Sequence, residues 1–287
     1  MPDFQQGIRA QKEWLGLPAE DLCEVQPGNY DSLHMAAQSQ WDPAKPAHLT
    51  CLRHRQTVVV TDGISRAPVG DVIGDARMKL ICISDTHSLH RRIPEIPDGD
   101  VLIHAGDSLG QGTLKNIEDL NDWLGTLPHR HKIVIAGNHD WAFQERPEPA
   151  RQALTNAIYL EDSGAEIEGV RFWGSPWTPT FMDWAFMLDR GDPLFQKWKL
   201  IPNNTDVLIT HGPPKGIGDE VILGFKCQNV GCIHLLDRIQ QLSLRAHIFG
   251  HIHEGYGEYQ WGRTRLINAS TCTARYEPRN APIVLEI

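Results

Sequence analysis

The strongest constraint on this chain is a repeated local pattern in which a short apolar run gives way to a tight cluster of Asp, Asn or His. Five such islands occur in order: Asp85-Thr86-His87, Gly106-Asp107, Gly137-Asn138-His139-Asp140, His211-Gly212 and Gly250-His251-Ile252-His253. Four of the five sit directly after an apolar run of strand length. Any one alone reads as a turn, because Asp and Asn commonly cap turns. Their recurrence carries more weight. Strands that each deliver polar groups at the same end gather them along one sheet edge, where open α/β folds place their sites.

Regular structure is expected from Lys79 onward. Strand-like runs cover Leu80–Ser84, Val101–Ala105, Ile133–Ala136, Val170–Gly174, Val207–Thr210 and His247–Gly250. Leu114, Ile117, Leu120 and Leu124 fall on one face of a helix that Gly125 is expected to stop, and Ile233, Leu236, Ile239 and Leu242 form a second stripe. Tyr259–Trp261 and Thr264–Asn268 flank a Gly-Arg turn and read as a hairpin, and a last strand is expected over Ile283–Ile287. This mixture predicts an α/β chain of α+β type, with two β-sheets sandwiched by helices rather than one parallel sheet. Residues 1–78 differ, mixing Gln, Pro, Asp and His with short apolar pieces, and only Thr57–Thr61 reads as a strand. The expected division is an N-terminal extension, partly irregular, over 1–78 and a domain over 79–287.

The islands carry metal-ligand chemistry. Asp85 and His87 are two positions apart, so in extended backbone both side chains share a face and chelate one ion. By the same argument His251 and His253 share a face. The Asp107 carboxylate has two oxygens able to bridge two ions, Asn138 offers a neutral carbonyl oxygen, and His139 is placed to face substrate rather than metal. The candidate ligands are Asp85, His87, Asp107, Asn138, His211, His251 and His253, a mixed oxygen and nitrogen set without thiolate. Such a set suits Mn, Fe, Zn, Ni or Co better than Ca or Mg. With one shared carboxylate it fits two divalent ions, an arrangement that activates water and clamps phosphoester oxygens.

Composition narrows the function classes. A net charge of -9 argues against extended nucleic-acid binding, yet two divalent ions outweigh Asp85 and Asp107 locally and keep the pocket attractive to a small anionic substrate. No stretch of 18 apolar residues exists and the first residues lack a signal core, so no membrane association and a cytoplasmic location are expected. The cysteines at 23, 51, 82, 227, 232 and 272 form no Cys-x-x-Cys, which favours free thiols. The sequence sets no oligomeric state.

The islands resemble the five motifs of the calcineurin-like metallophosphoesterase superfamily, D-x-H, GD, GNH[DE], H and GHxH, with every ligand position intact from Asp85 to His253. Asn-Asp-Trp-Leu-Gly (121–125), Gly-Ser-Pro-Trp-Thr-Pro (174–179), Thr-His-Gly-Pro-Pro (210–214), His-Glu-Gly-Tyr-Gly (253–257) and Ile-Asn-Ala-Ser-Thr-Cys (267–272) resemble its metallophosphoesterase-domain-containing (MPPED) subfamily. The resemblance implies a four-layer α/β/β/α sandwich of two mixed sheets. It implies one ion, manganese foremost, on Asp85, His87, Asp107 and His253, and a second on Asp107, Asn138, His211 and His251. It further implies that His139 contacts a phosphate oxygen or protonates the leaving group, that Asp140 orients His139 or its loop, and that a metal-held hydroxide attacks phosphorus without a covalent phosphoenzyme. Some animal members carry glycine where this chain has His251, so the imidazole here implies full catalytic competence. The expected activity is hydrolysis of cyclic nucleotides or other small phosphodiesters. Phosphomonoesterase or protein phosphatase activity is the alternative on the same site, and a non-catalytic metal-binding scaffold is a further one. Trp177, Phe181 and Trp184 form an aromatic run, and with Tyr256 they supply the candidate substrate contacts Trp177, Phe181 and Tyr256. His104 reads as a hydrogen-bonded core histidine.

Overall fold

The computed structural model describes residues 77–110, 112–223 and 226–287. The Thr57–Thr61 strand, and the rest of the expected extension up to residue 76, lie outside the described residues. In chain order the strands are β1 (Lys79–Ile83), β2 (Val101–Ala105), β3 (His131–Ile135), β4 (Ile158–Tyr159), β5 (Ser163–Ile167), β6 (Val170–Ser175), β7 (Thr178–Pro179), β8 (Met187–Leu188), β9 (Val207–Thr210), β10 (Glu220–Leu223), β11 (Lys226–Asn229), β12 (Ala246–Phe249), β13 (Gly257–Trp261), β14 (Thr264–Asn268) and β15 (Ile283–Glu286). The helices are α1 (Leu114–Thr126), α2 (Trp141–Glu145), α3 (Pro147–Ala153), α4 (Asp192–Lys199) and α5 (Ile233–Ile239).

Strands β2, β9 and β12 are buried at every residue, as central parallel strands covered on both faces must be. They belong to two sheets, one ordered β15-β1-β2-β3-β4 and the other β13-β14-β12-β9-β6-β5. Within each sheet the interior pairs run parallel. β15, β13 and β5 add antiparallel edges, so both sheets are mixed.

Alternation along the strands sets the layers. Leu80, Cys82, Ile103 and Ile135 point from the first sheet against Phe172, Ile209, Ile248 and Ile267 of the second. On the outer face of the first sheet, Ile81, Leu102 and Val134 meet Ile117, Leu120 and Leu124 of α1. On the outer face of the second, Leu208, Phe249 and Leu266 meet Leu194 and Trp198 of α4 and Leu235 of α5. The result is the expected α/β/β/α sandwich.

Two helical expectations need correction. Gly125 lies inside α1, which runs to Thr126; its missing side chain makes room for Asn156, whose Nδ2 lies 2.9 Å from where a Cβ would stand. The second stripe differs at its first position: Leu236, Ile239 and Leu242 pack in the outer core of the second sheet as expected and Leu235 joins them, whereas Ile233 opens the helix and is exposed. The paired β10 and β11, the two-residue β4, β7 and β8, and helices α2 to α4 had no periodic signal long enough to read. At the end of the sandwich where the parallel strands finish, Ser84 and Ser270 form an isolated bridge between the sheets, and the Thr271 N–H donates to the Ser84 carbonyl at 2.8 Å. The five islands lie around this junction.

Candidate metal centre

Three overlapping groups of side chains converge there among the described residues. Asp85, His87 and His253 bring ligand atoms within 4.8 Å of one another, as do Asp107, His211 and His251, and between them His87, Asp107 and His139. Asp107 belongs to two of the three groups, with its Oδ1 3.4 Å from His211 Nε2 and its Oδ2 4.0 Å from His87 Nε2. Asn138 Oδ1 lies 2.9 Å from His211 Nε2, which adds the amide to the Asp107 side. The seven sequence-predicted ligands are thus brought together.

The reason offered for their spacing does not hold. Asp85, His87, Asp107 and His251 all have positive φ, at 51°, 44°, 51° and 67°. None of them is in the extended backbone that the two-residue spacing assumed. Strands β1, β2 and β12 instead end in left-handed turns that swing a side chain into the cleft, a conformation that Asp, Asn and His tolerate better than most residues. His251 and His253 in consequence serve different groups: His253 Nε2 faces His87 Nε2 at 3.3 Å, while the His251 ring packs on His211 at 5.0 Å.

Neighbouring groups fix the orientation of each ligand. His211 Nδ1–H donates to the Ala105 carbonyl at 3.0 Å and His253 Nδ1–H to the Thr273 carbonyl at 2.9 Å, so each turns its Nε2 toward the carboxylates. Asp85 accepts from the Ser270 hydroxyl at 3.0 Å and the His251 N–H at 2.9 Å. Asp107 accepts from the His139 N–H at 2.8 Å. Two glycines permit these approaches. A Cβ on Gly250 would overlap Asp85 and Ser84, and one on Gly106, where φ is 96°, would stand 2.6 Å from His211 Nδ1.

Asp140 has a structural part that the sequence left undecided. Its buried carboxylate accepts from the backbone N–H of Gly137 at 2.8 Å, Leu109 at 2.9 Å and Ser108 at 3.2 Å, which ties the second island to the third. Burial and the nearby Asp107 charge raise its pKa to about 7. His104 is a buried core histidine as expected, and it also braces the first island. Its Nε2 lies 2.9 Å from the Thr86 hydroxyl, which donates to the Ser108 carbonyl. His247 repeats this in the other sheet, at 2.8 Å from a Thr210 hydroxyl that donates to the Gly212 carbonyl.

Electrostatically the cleft is built for cations. Burial alone would raise the Asp85 and Asp107 pKa values, but hydrogen bonds and charge from His253 and His211 respectively hold both well below the ordinary carboxylate value. His87 and His251 are pushed down to about 3, first by burial. Among the described residues, every ion pair of these carboxylates is with histidine. Two buried anions, converging imidazole nitrogens and an amide oxygen, with no Lys or Arg among those pairs, fit a pair of divalent transition ions.

The substrate-contact expectations fare differently. Trp177 donates its indole N–H to Asp162 at 2.9 Å and carries Lys197 over its ring at 4.2 Å. Tyr256 donates its hydroxyl to the Ala281 carbonyl, and the Phe181 N–H donates to the Met187 sulfur. The rings set against the histidines are Trp184, 4.2 Å from His139, and Tyr276, 4.8 Å from His87. Tyr276 carried no sequence signal, and Ser270, although inside the Ile-Asn-Ala-Ser-Thr-Cys segment (267–272), was given no role, since neither has a motif spacing to the ligands. Cys82, Cys227, Cys232 and Cys272 are free thiols, and no described helix is long and apolar enough to cross a membrane.

A shared carboxylate between two buried histidine groups, at the end of a double-sheet sandwich, defines a metal-dependent phosphoesterase. The chain belongs to the calcineurin-like phosphoesterase family, whose model matches residues 78–255. Metallophosphoesterase domain-containing protein 1 of Homo sapiens is 45% identical over 233 residues, covering 73% of this chain and 71% of that protein. A UPF0046 protein of Caenorhabditis elegans is 35% identical over 266 residues, 88% of each chain. The 3',5'-cyclic-nucleotide phosphodiesterase alr5338 of Nostoc is 26% identical, over 73% of this chain and 79% of that one.

Proposed function

We propose that the chain is a cytoplasmic phosphodiesterase acting on cyclic nucleotides or other small phosphodiesters, with residues 79–287 as its catalytic domain and 1–78 as an extension. Asp85, His87, Asp107 and His253 would hold one divalent ion and Asp107, Asn138, His211 and His251 the other, with manganese the first choice. When bound, such ions lower the pKa of a coordinated water and neutralise phosphate charge. The protein's own part is orientation and proton handling. Ala105 and Thr273 carbonyls set which imidazole nitrogen faces the cleft, and Asp140 keeps the Asp107 and Asn138 turns in register.

His139 is assigned to the leaving group. Its Nδ1–H donates to the Gly110 carbonyl at 3.4 Å, which leaves Nε2, 3.9 Å from Asp107 Oδ2, turned toward the cleft. From there it can give a proton to an ester oxygen as the bond to phosphorus breaks. The observation that carries the reading is Asp107, whose Oδ1 lies 3.4 Å from His211 Nε2 and whose Oδ2 lies 4.0 Å from His87 Nε2, so that one carboxylate reaches both ligand sets. The relative named as a cyclic-nucleotide phosphodiesterase supports diesters over monoesters. With manganese supplied, hydrolysis of a bis-aryl phosphate is expected to exceed that of the mono-aryl ester. The reverse ratio would favour a monoesterase, and no turnover together with fewer than one bound ion per chain would favour a scaffold.

A further inference from the structure

An unbroken series of aromatic rings crosses the site in the order Tyr276, His253, His87, His139, Trp184. Tyr276 lies 5.1 Å from His253 and 4.8 Å from His87. His87 lies 4.7 Å from His139, and Trp184 lies 4.2 Å from His139 at a tilt of 42°. Metal binding and proton transfer give the three imidazoles work. They give none to the two rings at the ends, both only half-buried although large aromatic rings gain most from full burial.

Each end ring is presented by a short loop fastened to the site itself. Residues 180–186 loop out from a neck where Thr178 pairs with Met187 and Pro179 with Leu188. Within that loop the Ala185 N–H donates to the Asn138 carbonyl at 3.1 Å. Residues 273–277 are closed by the Thr273 N–H on the Glu277 carbonyl at 2.9 Å, and the Thr273 carbonyl is the one that accepts from His253. Met182, Phe186 and Tyr276 take positive φ of 61°, 51° and 58°, so both loops are held in backbone conformations that local preference disfavours. Two separate loops therefore pin an aromatic ring against opposite ends of the histidine series.

We infer that Trp184 and Tyr276 are the walls of a subsite for a planar aromatic substituent of the substrate, and that they select nucleotide or aryl phosphoesters over alkyl ones. This rests on the phosphodiesterase reading above. A phosphate seated among His87, Asp107 and His139 directs its ester substituents past one end ring or the other. A nucleobase or phenyl group gains a stacking face there whatever its hydrogen-bonding pattern, and an alkyl group gains none.

The test is calorimetric binding to the full chain loaded with manganese, using inorganic phosphate, methyl phosphate, phenyl phosphate and AMP. Phenyl phosphate and AMP are expected to bind about 10- to 100-fold more tightly than methyl phosphate. Trp184→Ala and Tyr276→Ala should each narrow that margin about tenfold, and Trp184→Phe should retain it. Trp184→Leu keeps bulk without a π face, so it should lose the margin while elemental analysis finds the same metal content. A margin seen with only one of the two aromatic probes supports the subsite and identifies its occupant. Equal binding of methyl phosphate, phenyl phosphate and AMP, or a margin that survives both alanine variants, overturns the subsite alone. If none of the four probes binds the loaded protein, the phosphoesterase reading beneath it fails instead.

Discussion

At the scale of single residues, the site divides into groups that hold, groups that aim and one that transfers a proton. His139→Ala should keep both ions by elemental analysis while kcat falls on the order of 10²- to 10⁴-fold, the usual worth of a positioned acid. Loss of metal in that variant would make His139 a ligand. Ser270→Ala removes the hydroxyl that aims Asp85 and should weaken metal binding about 10- to 100-fold in a titration, with the fold intact. These two residues mark the limit of what the sequence reveals. His139 sits inside a recognisable island, so its chemistry could be read in advance. Ser270 acts on Asp85 across 185 positions of chain, a pairing that only the meeting of the two sheets creates. Tyr276 was hidden for the same reason, its loop being positioned by neighbours distant in sequence, whereas Trp184 was visible in the aromatic run but its place against His139 was not.

At the scale of elements, the strands were legible because burial on both faces demands uninterrupted apolar runs, and β2 and β9 match their expected bounds. What the runs could not show is how each strand ends. Asp85, Asp107 and His251 leave their strands through left-handed turns, and backbone in that region costs on the order of 1–3 kcal/mol per residue. In helix α5 only Ile233 departs from its expected stripe, because it sits at the first position, where it projects past the core that Leu235, Ile239 and Leu242 reach. Gly250 shows how tightly the end of β12 fits. Gly250→Ala places a methyl group onto Asp85 and Ser84 and should cost roughly 1–3 kcal/mol of stability. A metal-free thermal melt would detect that loss, and an unchanged Tm would show that the turn has room to spare.

For the whole molecule, the two buried histidines His104 and His247 predict its response to acid. Burial holds both near pKa 3, whereas in the unfolded chain each titrates near its ordinary value of 6.5. Above pH 6.5 both states are neutral and the pair costs nothing. Between 6.5 and 3 only the unfolded chain takes up the protons, so stability falls with pH, on the order of 4 kcal/mol for each histidine by pH 3. Urea unfolding at several pH values should show this slope, and His247→Gln should flatten it. Bound metal acts on the same balance from the folded side: at one hundred times its Kd a single ion adds about 2.7 kcal/mol, which chelation should remove as a drop in Tm. The Ser84–Ser270 bridge has a last consequence, in time rather than space. Asp85 and the His251 N–H it accepts from are 166 positions apart, and β15 completes the first sheet only by returning to β1. During synthesis the early carboxylates must wait for the late histidines to leave the ribosome, so metal capture is set to come among the last events of folding.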